Sequence, residues 1–199
     1  MVFNLIILVL FCIQNSNAFF QIFSQNNKVN SQSNASLKQE ILNLSRKVER
    51  GIVESDEEAE EMLSLFEALE KKNPTKKSLT SPLLNKEWIL EYTTSESIRG
   101  SKMFPKVGPI LQMLDNKELK AKNSETVSYF GIKVKRAVTA ELTPVSESLC
   151  DVQFKKFTIG PITFNAPESF KGSLDITYLD NDFRLSRGDK GNIFVLRAE

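Results

Sequence analysis

Two arginines and several aspartates lie close together near the C-terminus, where their side chains could hold an anion. Arg184 and Arg187 can each bind phosphate or carboxylate through paired hydrogen bonds. One hypothesis is therefore a polar site for an anionic headgroup. The alternative is structural, because turn caps and cross-strand ion pairs use the same residue types. The aspartates of this region are Asp175, Asp180, Asp182 and Asp189.

Residues for the commoner kinds of catalysis are missing. The 199 residues include no histidine, which excludes a Ser-His-Asp or Cys-His site built from this chain alone and removes the usual zinc ligand. Of the two cysteines, we expect Cys12 to be removed with the N-terminal segment and Cys150 to be a core residue without a disulfide partner. Asp180 and Asp182 lack the further ligands of an EF-hand loop. We predict no catalytic residue, no metal site and no cofactor.

The charge and composition indicate a soluble globular domain. Lysine and arginine total 26 and aspartate and glutamate 25, for a net charge of +1. No global field therefore favours nucleic acid or an anionic membrane. Hydrophobic residues make up 41% and charged residues 26% of the chain, which is normal for a domain that buries its own core.

The N-terminal segments have the features of a targeting signal. Residues 2–13 are almost wholly apolar but too few to cross a bilayer comfortably. Ser16 and Ala18 suit a small-residue cleavage site, which predicts a signal peptide over residues 1–18; an uncleaved anchor is the alternative. Residues 19–36 are rich in Ser, Asn and Gln and contain no acidic residue, as in a disordered linker or a transit peptide. Together the two segments resemble the bipartite leader of proteins imported into complex algal plastids.

A helical hairpin is predicted over residues 37–73. Apolar residues recur at helical spacing between Leu37 and Val48, which makes one buried stripe. Ser55 followed by Glu58 is a capping box that begins a second helix. The acidic run at this point suits the positive end of a helix dipole and is explained more simply that way than as a partner-binding surface.

From Trp88 onward the apolar period becomes two, which indicates strands. Trp88, Leu90 and Tyr92 would share one face of the first strand. Strand signals continue to the C-terminus, where turns at residues 180–182 and 188–192 predict a three-stranded meander.

Strands without intervening helices predict an antiparallel sheet or barrel over residues 85–197. The predicted fold class is therefore α+β, an N-terminal helical hairpin followed by an antiparallel β-barrel. A barrel of about eight strands can hold one small ligand.

Several motifs of the β segment resemble the plastid lipid-associated protein (fibrillin) family. Residues 85–95 resemble its opening motif, with a tryptophan before Tyr-Thr-Thr, and residues 110–115 resemble its Gln-x-x-Asp segment. Residues 172–196 look like its C-terminal signature. The resemblance covers residues 37–197 within a domain of residues 37–199. The signature residues singled out are Asp175, Asp180, Gly188 and Gly191.

The resemblance implies a lipocalin-like barrel in a plastid, in the stroma or at thylakoids or plastoglobules. It implies a non-enzymatic protein that binds a hydrophobic or prenyl-lipid ligand, such as a prenyl quinone, or that coats lipid, with no nucleic acid partner. One alternative is a scaffold that docks an isoprenoid or quinone biosynthetic enzyme, with the hairpin as docking surface. Another is a secreted lipocalin-like carrier glycosylated at Asn34 or Asn43. An enzyme of lipid metabolism fits less well, because no nucleophile–base pattern occurs.

Aromatic residues and the two arginines are the candidate ligand contacts. Ordinary core packing competes as the explanation for most of the aromatic residues, whereas a ligand site needs a hydrophobic lining with a few polar anchors. The loop residues Met103, Phe104 and Pro105 could instead enter a membrane surface. The candidate ligand-binding residues are Trp88, Tyr92, Phe130, Phe154, Tyr178, Arg184, Arg187 and Phe194.

Overall fold

A computed structural model describes Val29 and residues 32–199. The predicted signal peptide, residues 1–18, lies outside the described residues. So does the predicted transit-like segment, apart from Val29 and residues 32–36. None of the helices in the described part of the chain is both long and apolar enough to cross a bilayer.

The N-terminal hairpin contains two helices, α1, Asn34–Lys47, and α2, Asp56–Glu70. α1 begins before the predicted boundary at residue 37, because the Ser33 hydroxyl accepts a hydrogen bond from the backbone N–H of Ser36 and caps the helix there. α2 begins at the predicted capping box, in which Ser55 and Glu58 each bond the backbone N–H of the other.

Gly51 makes the tight link between the two helices. It ends a 3-10 turn, Glu49–Gly51, that follows α1. Its φ is +96°, and a Cβ added to it would lie 2.9 Å from the Thr93 carbonyl oxygen. Only glycine combines this left-handed conformation with so close an approach to another backbone. Gly51 therefore ends the first helical segment and sets the hairpin against the first strand.

The described residues contain nine antiparallel strands, eight of which close into a barrel. Around the ring the order is β1-β2-β3-β4-β5-β7-β8-β9, and β9 pairs with β1. β6 pairs with the second half of β5 and is not part of the ring. This is the predicted α+β fold of a helical hairpin followed by an antiparallel barrel. The elements are β1 Glu87–Thr93, α3 Glu96–Arg99, β2 Leu111–Asp115, β3 Lys120–Tyr129, β4 Ile132–Pro144, β5 Leu149–Ile159, β6 Ile162–Asn165, β7 Lys171–Leu179, β8 Phe183–Gly188 and β9 Ile193–Ala198.

The barrel wall separates two apolar cores. The outer core lies between the helical hairpin and the outer face of strands that include β7, β8 and β9. The inner core lies inside the barrel, and two 3-10 turns, Ser78–Thr80 and Pro82–Leu84, pack against it before β1 begins. Burial of both cores supplies the main driving force for the fold.

Two β-bulges move side chains from one core to the other. Against its neighbour, β1 shifts register between Leu90 and Tyr92, and β7 shifts between Ile176 and Tyr178. Each shift interrupts the strict alternation of side chains. Leu90 and Ile176 therefore lie in the inner core, whereas Tyr92 and Tyr178 lie in the outer one. The expectation that Trp88, Leu90 and Tyr92 share one face is wrong for Tyr92, because of the bulge.

Two strand segments carry no apolar alternation in the sequence. β3 begins at Lys120, although the sequence shows a strand signal only from Val127 onward, and β6 has no strand signal. The inward positions at the start of β3 are Ala121 and Asn123, which line the barrel interior among polar neighbours. All of β6 is exposed, so no core imposes a pattern on it.

Candidate ligand-binding site

The inner core encloses a cavity of about 130 Å³. Its lining is mainly aliphatic and aromatic and comes from facing strands, including Leu90 of β1, Leu142 of β4 and Phe154 of β5. Alternation along each strand directs every second side chain inward, so each strand supplies lining residues at alternate positions. A largely apolar cavity with few polar groups is the usual form of a site for a small hydrophobic ligand.

Arg184 brings a charge into this apolar space. Along β8, Phe183 and Leu185 enter the outer core, whereas Arg184 and Ser186 line the cavity. Arg184 is 0% exposed. Its guanidinium carbon lies 5.1 Å from the centre of the Trp88 ring, which is a cation–π arrangement. The alternation of β8 thus places a buried cation against the ring of the opening motif.

Two amide side chains hold the guanidinium in place. Nη2 of Arg184 donates to Oε1 of Gln112, and Nε2 of Gln112 donates to Oδ1 of Asn123 at 2.9 Å. Gln112 and Asn123 are direct cross-strand partners on β2 and β3. Because both amides are engaged with each other, the orientation of Gln112 towards Arg184 is fixed.

The other polar atoms around the guanidinium lack hydrogen-bond partners within the described chain. These atoms are Nε and Nη1 of Arg184 and Oγ of Ser186. Burial lowers the pKa of Arg184 to about 9, so the side chain still carries its charge at neutral pH. A buried polar atom without a partner costs roughly 1–3 kcal/mol. A ligand with acceptor oxygens would supply the partners that the protein does not.

A second cavity of about 310 Å³ adjoins the first. It extends towards the end of the barrel that carries the β3–β4 and β5–β6 turns, where Phe157 and Phe164 line it with their rings 5.7 Å apart. A space with a mixed lining thus continues from the neighbourhood of Arg184 to this end of the barrel, which we call the turn end. The charged residues of its lining, Glu125 and Arg136, form an ion pair with each other at 2.9 Å. The two cavities share Ile98, Ile110, Asn123 and Val138 as lining residues.

The short helix α3 borders both cavities through Ile98. Nη1 of Arg99 donates to Oε1 of Glu54 at 3.2 Å, and the Tyr92 hydroxyl donates to Oε2 of the same carboxylate at 2.7 Å. Burial and the nearby Glu54 carboxylate raise the pKa of Tyr92 well above its ordinary value, so the hydroxyl stays a donor. The bond from Arg99 attaches α3 to the helical hairpin, and the bond from Tyr92 attaches β1 to it.

Four of the predicted ligand-binding residues belong to the barrel interior. Phe154, Arg184 and Phe194 line the first cavity. Trp88 is fully buried in the inner core and contacts Arg184 through its ring. Together they combine an apolar lining with one charged anchor.

The other four lie outside the cavities. The bulges place Tyr92 and Tyr178 in the outer core. Arg187, three residues after Arg184 and hence on the opposite face of β8, donates Nε and Nη2 to the two carboxylate oxygens of Glu70 at 2.9 and 2.7 Å. Phe130 is 94% exposed on the β3–β4 turn. The predicted pairing of the two arginines at one polar site is therefore wrong, because alternation along β8 separates them.

Sequence reasoning missed four polar residues of the cavity, Gln112, Asn123, Ser173 and Ser186. Ser186 is two residues from Arg184, so strand parity alone places both on one face. Gln112 lies in the Gln-x-x-Asp segment of residues 110–115, to which the sequence alone assigns no role. Asn123 carried no signal, because it lies in the polar first half of β3.

The aspartates of the C-terminal region mostly serve the turns. Oδ1 of Asp180 accepts hydrogen bonds from the backbone N–H groups of Asp182 and Phe183 at 3.1 and 2.9 Å, so it caps the predicted turn. Asp175 lies opposite Arg187 in the pairing of β7 with β8. The hydrogen bonds of Asp180 match the structural alternative for the cluster, whereas Oδ1 of Asp175 is buried without a partner among the described residues.

The signature glycines serve backbone geometry at the β8–β9 turn. A Cβ on Gly188 would lie 2.8 Å from Cε2 of Phe194, so glycine leaves room for a ring that lines the cavity. Gly191 has a φ of +75°, which glycine adopts readily. The neighbouring Asp189 is exposed and lies at the edge of the cavity.

Cys150 is a core residue, as predicted. It is 0% exposed, and its thiol lies 3.6 Å from the Leu174 carbonyl oxygen. Burial raises the pKa of Cys150 to about 11, so the thiolate that nucleophilic chemistry needs is scarce at neutral pH.

Comparison with known proteins identifies the family. The PAP_fibrillin family model matches residues 35–197. The chain is 33% identical to probable plastid-lipid-associated protein 5, chloroplastic, of Arabidopsis thaliana, over 81% of this chain and 68% of that protein. It is 28% identical to plastid lipid-associated protein 2, chloroplastic, of Brassica campestris, over 82% and 68%. It is 27% identical to the light-induced protein, chloroplastic, of Solanum tuberosum, over 75% and 63%. The chain therefore belongs to the plastid lipid-associated protein (fibrillin) family.

Proposed function

We propose that the barrel is a non-enzymatic carrier that binds one hydrophobic or amphiphilic lipid inside the barrel, in a plastid. The observation that carries this proposal is the apolar cavity with the buried, incompletely bonded Arg184 on its wall. The relatives are named as lipid-associated and chloroplastic, which supports both the ligand class and the location. A prenyl lipid or prenyl quinone is one ligand of the proposed class.

The sizes of the cavities limit how such a ligand lies. A cavity of about 150 Å³ in another protein holds one benzene molecule, so the first cavity, of about 130 Å³, takes a headgroup and a few carbons. The remainder of a lipid would occupy the second cavity, of about 310 Å³, and leave through the turn end. We therefore propose that part of the bound lipid remains accessible at that end.

Blocking the cavity tests the proposal. Val138 lines both cavities, so Val138→Trp should fill the shared space, whereas Lys133→Trp places the same ring on the exposed surface of β4. Native mass spectrometry of the full-length chain, incubated with a plastid lipid extract, should show a stoichiometric lipid on the wild type and on Lys133→Trp. Retention of that lipid by folded Val138→Trp would contradict an interior site.

A second candidate function, association with a lipid surface, rests on exposed apolar residues at the turn end. Met103 is 75%, Phe130 94% and Ile132 70% exposed, and the Phe104 ring packs against the rings of Tyr129 and Phe130 at 5.3 and 6.2 Å. Exposed apolar clusters of this kind mark interaction surfaces. The turn end would bring the second cavity to a membrane or a lipid droplet such as a plastoglobule.

Flotation with vesicles of phosphatidylcholine and phosphatidylglycerol tests this surface. The double substitution Met103→Ser and Phe130→Ser should lower binding several-fold, since each removes apolar area that would enter the interface. The control is Val145→Ser, which removes a residue 58% exposed at the opposite end of the barrel. Equal loss in both variants would point to non-specific adsorption.

The enzyme-docking alternative has less support from the structure. The apolar stripe of the helical hairpin is already packed against the barrel. The outer face left for a partner enzyme is mainly charged, so a docking interface there would depend on ion pairs more than on apolar burial.

A further inference from the structure

The buried cation on the wall of the first cavity, Arg184, has no acidic partner among the described residues. Among the described residues that line the first cavity, Arg184 is the one cation, and the single acidic residue, Asp189, is exposed at the edge. Arg184 forms no ion pair within the described chain, whereas Arg187 on the opposite face of β8 binds Glu70 through two hydrogen bonds. Buried cations in proteins are ordinarily paired. A buried cation without a partner in the described chain favours a ligand that carries a negative charge.

The unpaired polar atoms define what that anion must offer. Nε and Nη1 of Arg184 are donors without acceptors, and the Ser186 hydroxyl beside them is also unbonded. Nη2 is already held by Gln112, so the guanidinium is oriented before any ligand arrives. Two acceptor oxygens on one group would meet these needs, and a carboxylate has them.

Charge and size favour a carboxylate over a phosphate or diphosphate. One guanidinium neutralises one negative charge, and the cavity of about 130 Å³ is largely filled by a small headgroup. Asp189 at the edge would repel further negative charge. A monoanion with an apolar chain matches both the single cation and the hydrophobic lining.

We propose that the barrel binds a long-chain carboxylic acid with its carboxylate at Arg184 and its hydrocarbon chain in the second cavity. This inference rests on the proposed lipid-binding function and adds the headgroup class and the orientation, head inward and tail towards the turn end. Phe157 and Phe164 line the space that the chain would occupy. Gln112 acts as a positioning residue for the guanidinium.

A matched pair of ligands tests the headgroup on the unaltered protein. The full-length chain, stripped of lipid, is titrated with dodecanoate and with 1-dodecanol at pH 8 in a calorimeter. The two ligands share a twelve-carbon chain, so their difference isolates the headgroup. Dodecanoate should bind about tenfold or more tightly, because a charge-assisted hydrogen bond in a dry site is worth at least that factor.

A matched pair of variants tests the residue. Arg184→Met removes the charge and shortens the side chain only slightly. It should lower the affinity for dodecanoate about tenfold or more and leave the affinity for dodecanol within about twofold of the wild-type value. Arg187→Met removes the paired arginine of the opposite face and should leave both affinities within about twofold. Circular dichroism checks that each variant folds. If Arg184→Met does not fold, Ser186→Ala is tested in its place and should lower the affinity for dodecanoate about two- to fivefold.

The outcomes separate this inference from the function on which it rests. A lower affinity of Arg184→Met for dodecanoate, with an unchanged affinity for dodecanol, supports the carboxylate site. Equal affinity of the wild type for acid and alcohol, or no change in Arg184→Met, overturns the inference and leaves a neutral lipid as the ligand of the cavity. Failure of the wild type to bind either compound, or any lipid of the plastid extract, overturns the interior-binding function itself.

Discussion

The two faces of β8 differ in how completely their side chains are satisfied. On the outer face, Arg187 binds Glu70 through two hydrogen bonds and lies 5.2 Å from the Phe66 ring. On the inner face, Arg184 is more deeply buried, yet two of its nitrogens have no partner within the described chain. The outer core is thus built for stability, whereas the inner core keeps space and unused donors. We expect substitutions on the two faces to separate folding from binding.

The largest expected effect is a cavity made in the outer core. Phe66 is 0% exposed, and Phe66→Ala should lower the free energy of unfolding by about 3–5 kcal/mol. Phe154→Ala, on the half-buried wall of an existing cavity, should cost about 1–2 kcal/mol, because fewer packing contacts are lost there. Urea unfolding measures both values. Equal losses would show that the inner core is packed as tightly as the outer one.

The two arginines should respond with opposite signs. In the ligand-free protein, Arg184→Met should raise the free energy of unfolding by about 1–2 kcal/mol, since it removes an unpaired buried charge. Arg187→Met should lower it by about 1 kcal/mol, because a partly exposed ion pair and its packing are lost. Urea unfolding without and with dodecanoate makes the measurement. Destabilisation by Arg184→Met without ligand would mean that Trp88 and Gln112 already compensate the charge.

The fold was largely predictable from the sequence, because its signals are local. The capping box at Ser55, the turn at residues 180–182 and the alternation of β8 each depend on residues within one or two turns of chain. The bulge after Leu90 was not predictable, since it depends on the register against β9. That one shift moved Tyr92 from the predicted ligand site to the outer core.

The site was predictable only in part, because it depends on which face each residue occupies. Residue type pointed to both arginines, but strand parity separates Arg184 from Arg187. Asn123 contributes to the site by holding its cross-strand partner Gln112. Because the two residues lie in different strands, their pairing is not visible in the sequence. The lack of a counter-ion for Arg184 among the described residues is a property of the assembled barrel and cannot be read from the sequence.

A smaller effect tests whether the two cores are independent. Ser55→Ala removes the capping box of α2, where the Ser55 hydroxyl accepts a hydrogen bond from the Glu58 backbone N–H, and should lower the free energy of unfolding by about 1 kcal/mol. The affinity for dodecanoate at pH 8 should not change, because the capping box lies outside the barrel. Ser55→Thr, which retains a capping hydroxyl, is the matched control. Weaker ligand binding in Ser55→Ala would mean that the attachment of α3 to the hairpin controls the cavity.

The smallest expected effect is a pH dependence at the turn before β8. Burial opposes the charge of Asp180, but hydrogen bonds from Lys38, Tyr178 and the turn backbone outweigh it and hold the pKa of Asp180 below its ordinary value. A carboxyl group whose pKa is lower in the folded state stabilises the protein above its unfolded pKa of about 3.9, and this contribution disappears as the pH falls through the folded pKa. Asp180→Asn should therefore be less stable than the wild type by up to about 1 kcal/mol at pH 7, since solvent screens the partly exposed pair. The difference should begin to shrink below about pH 4 and disappear once the pH lies below the folded pKa. Urea unfolding of ligand-free protein between pH 7 and pH 2 measures it, and a difference that does not shrink over this range would assign the effect to the geometry of the turn instead of its charge.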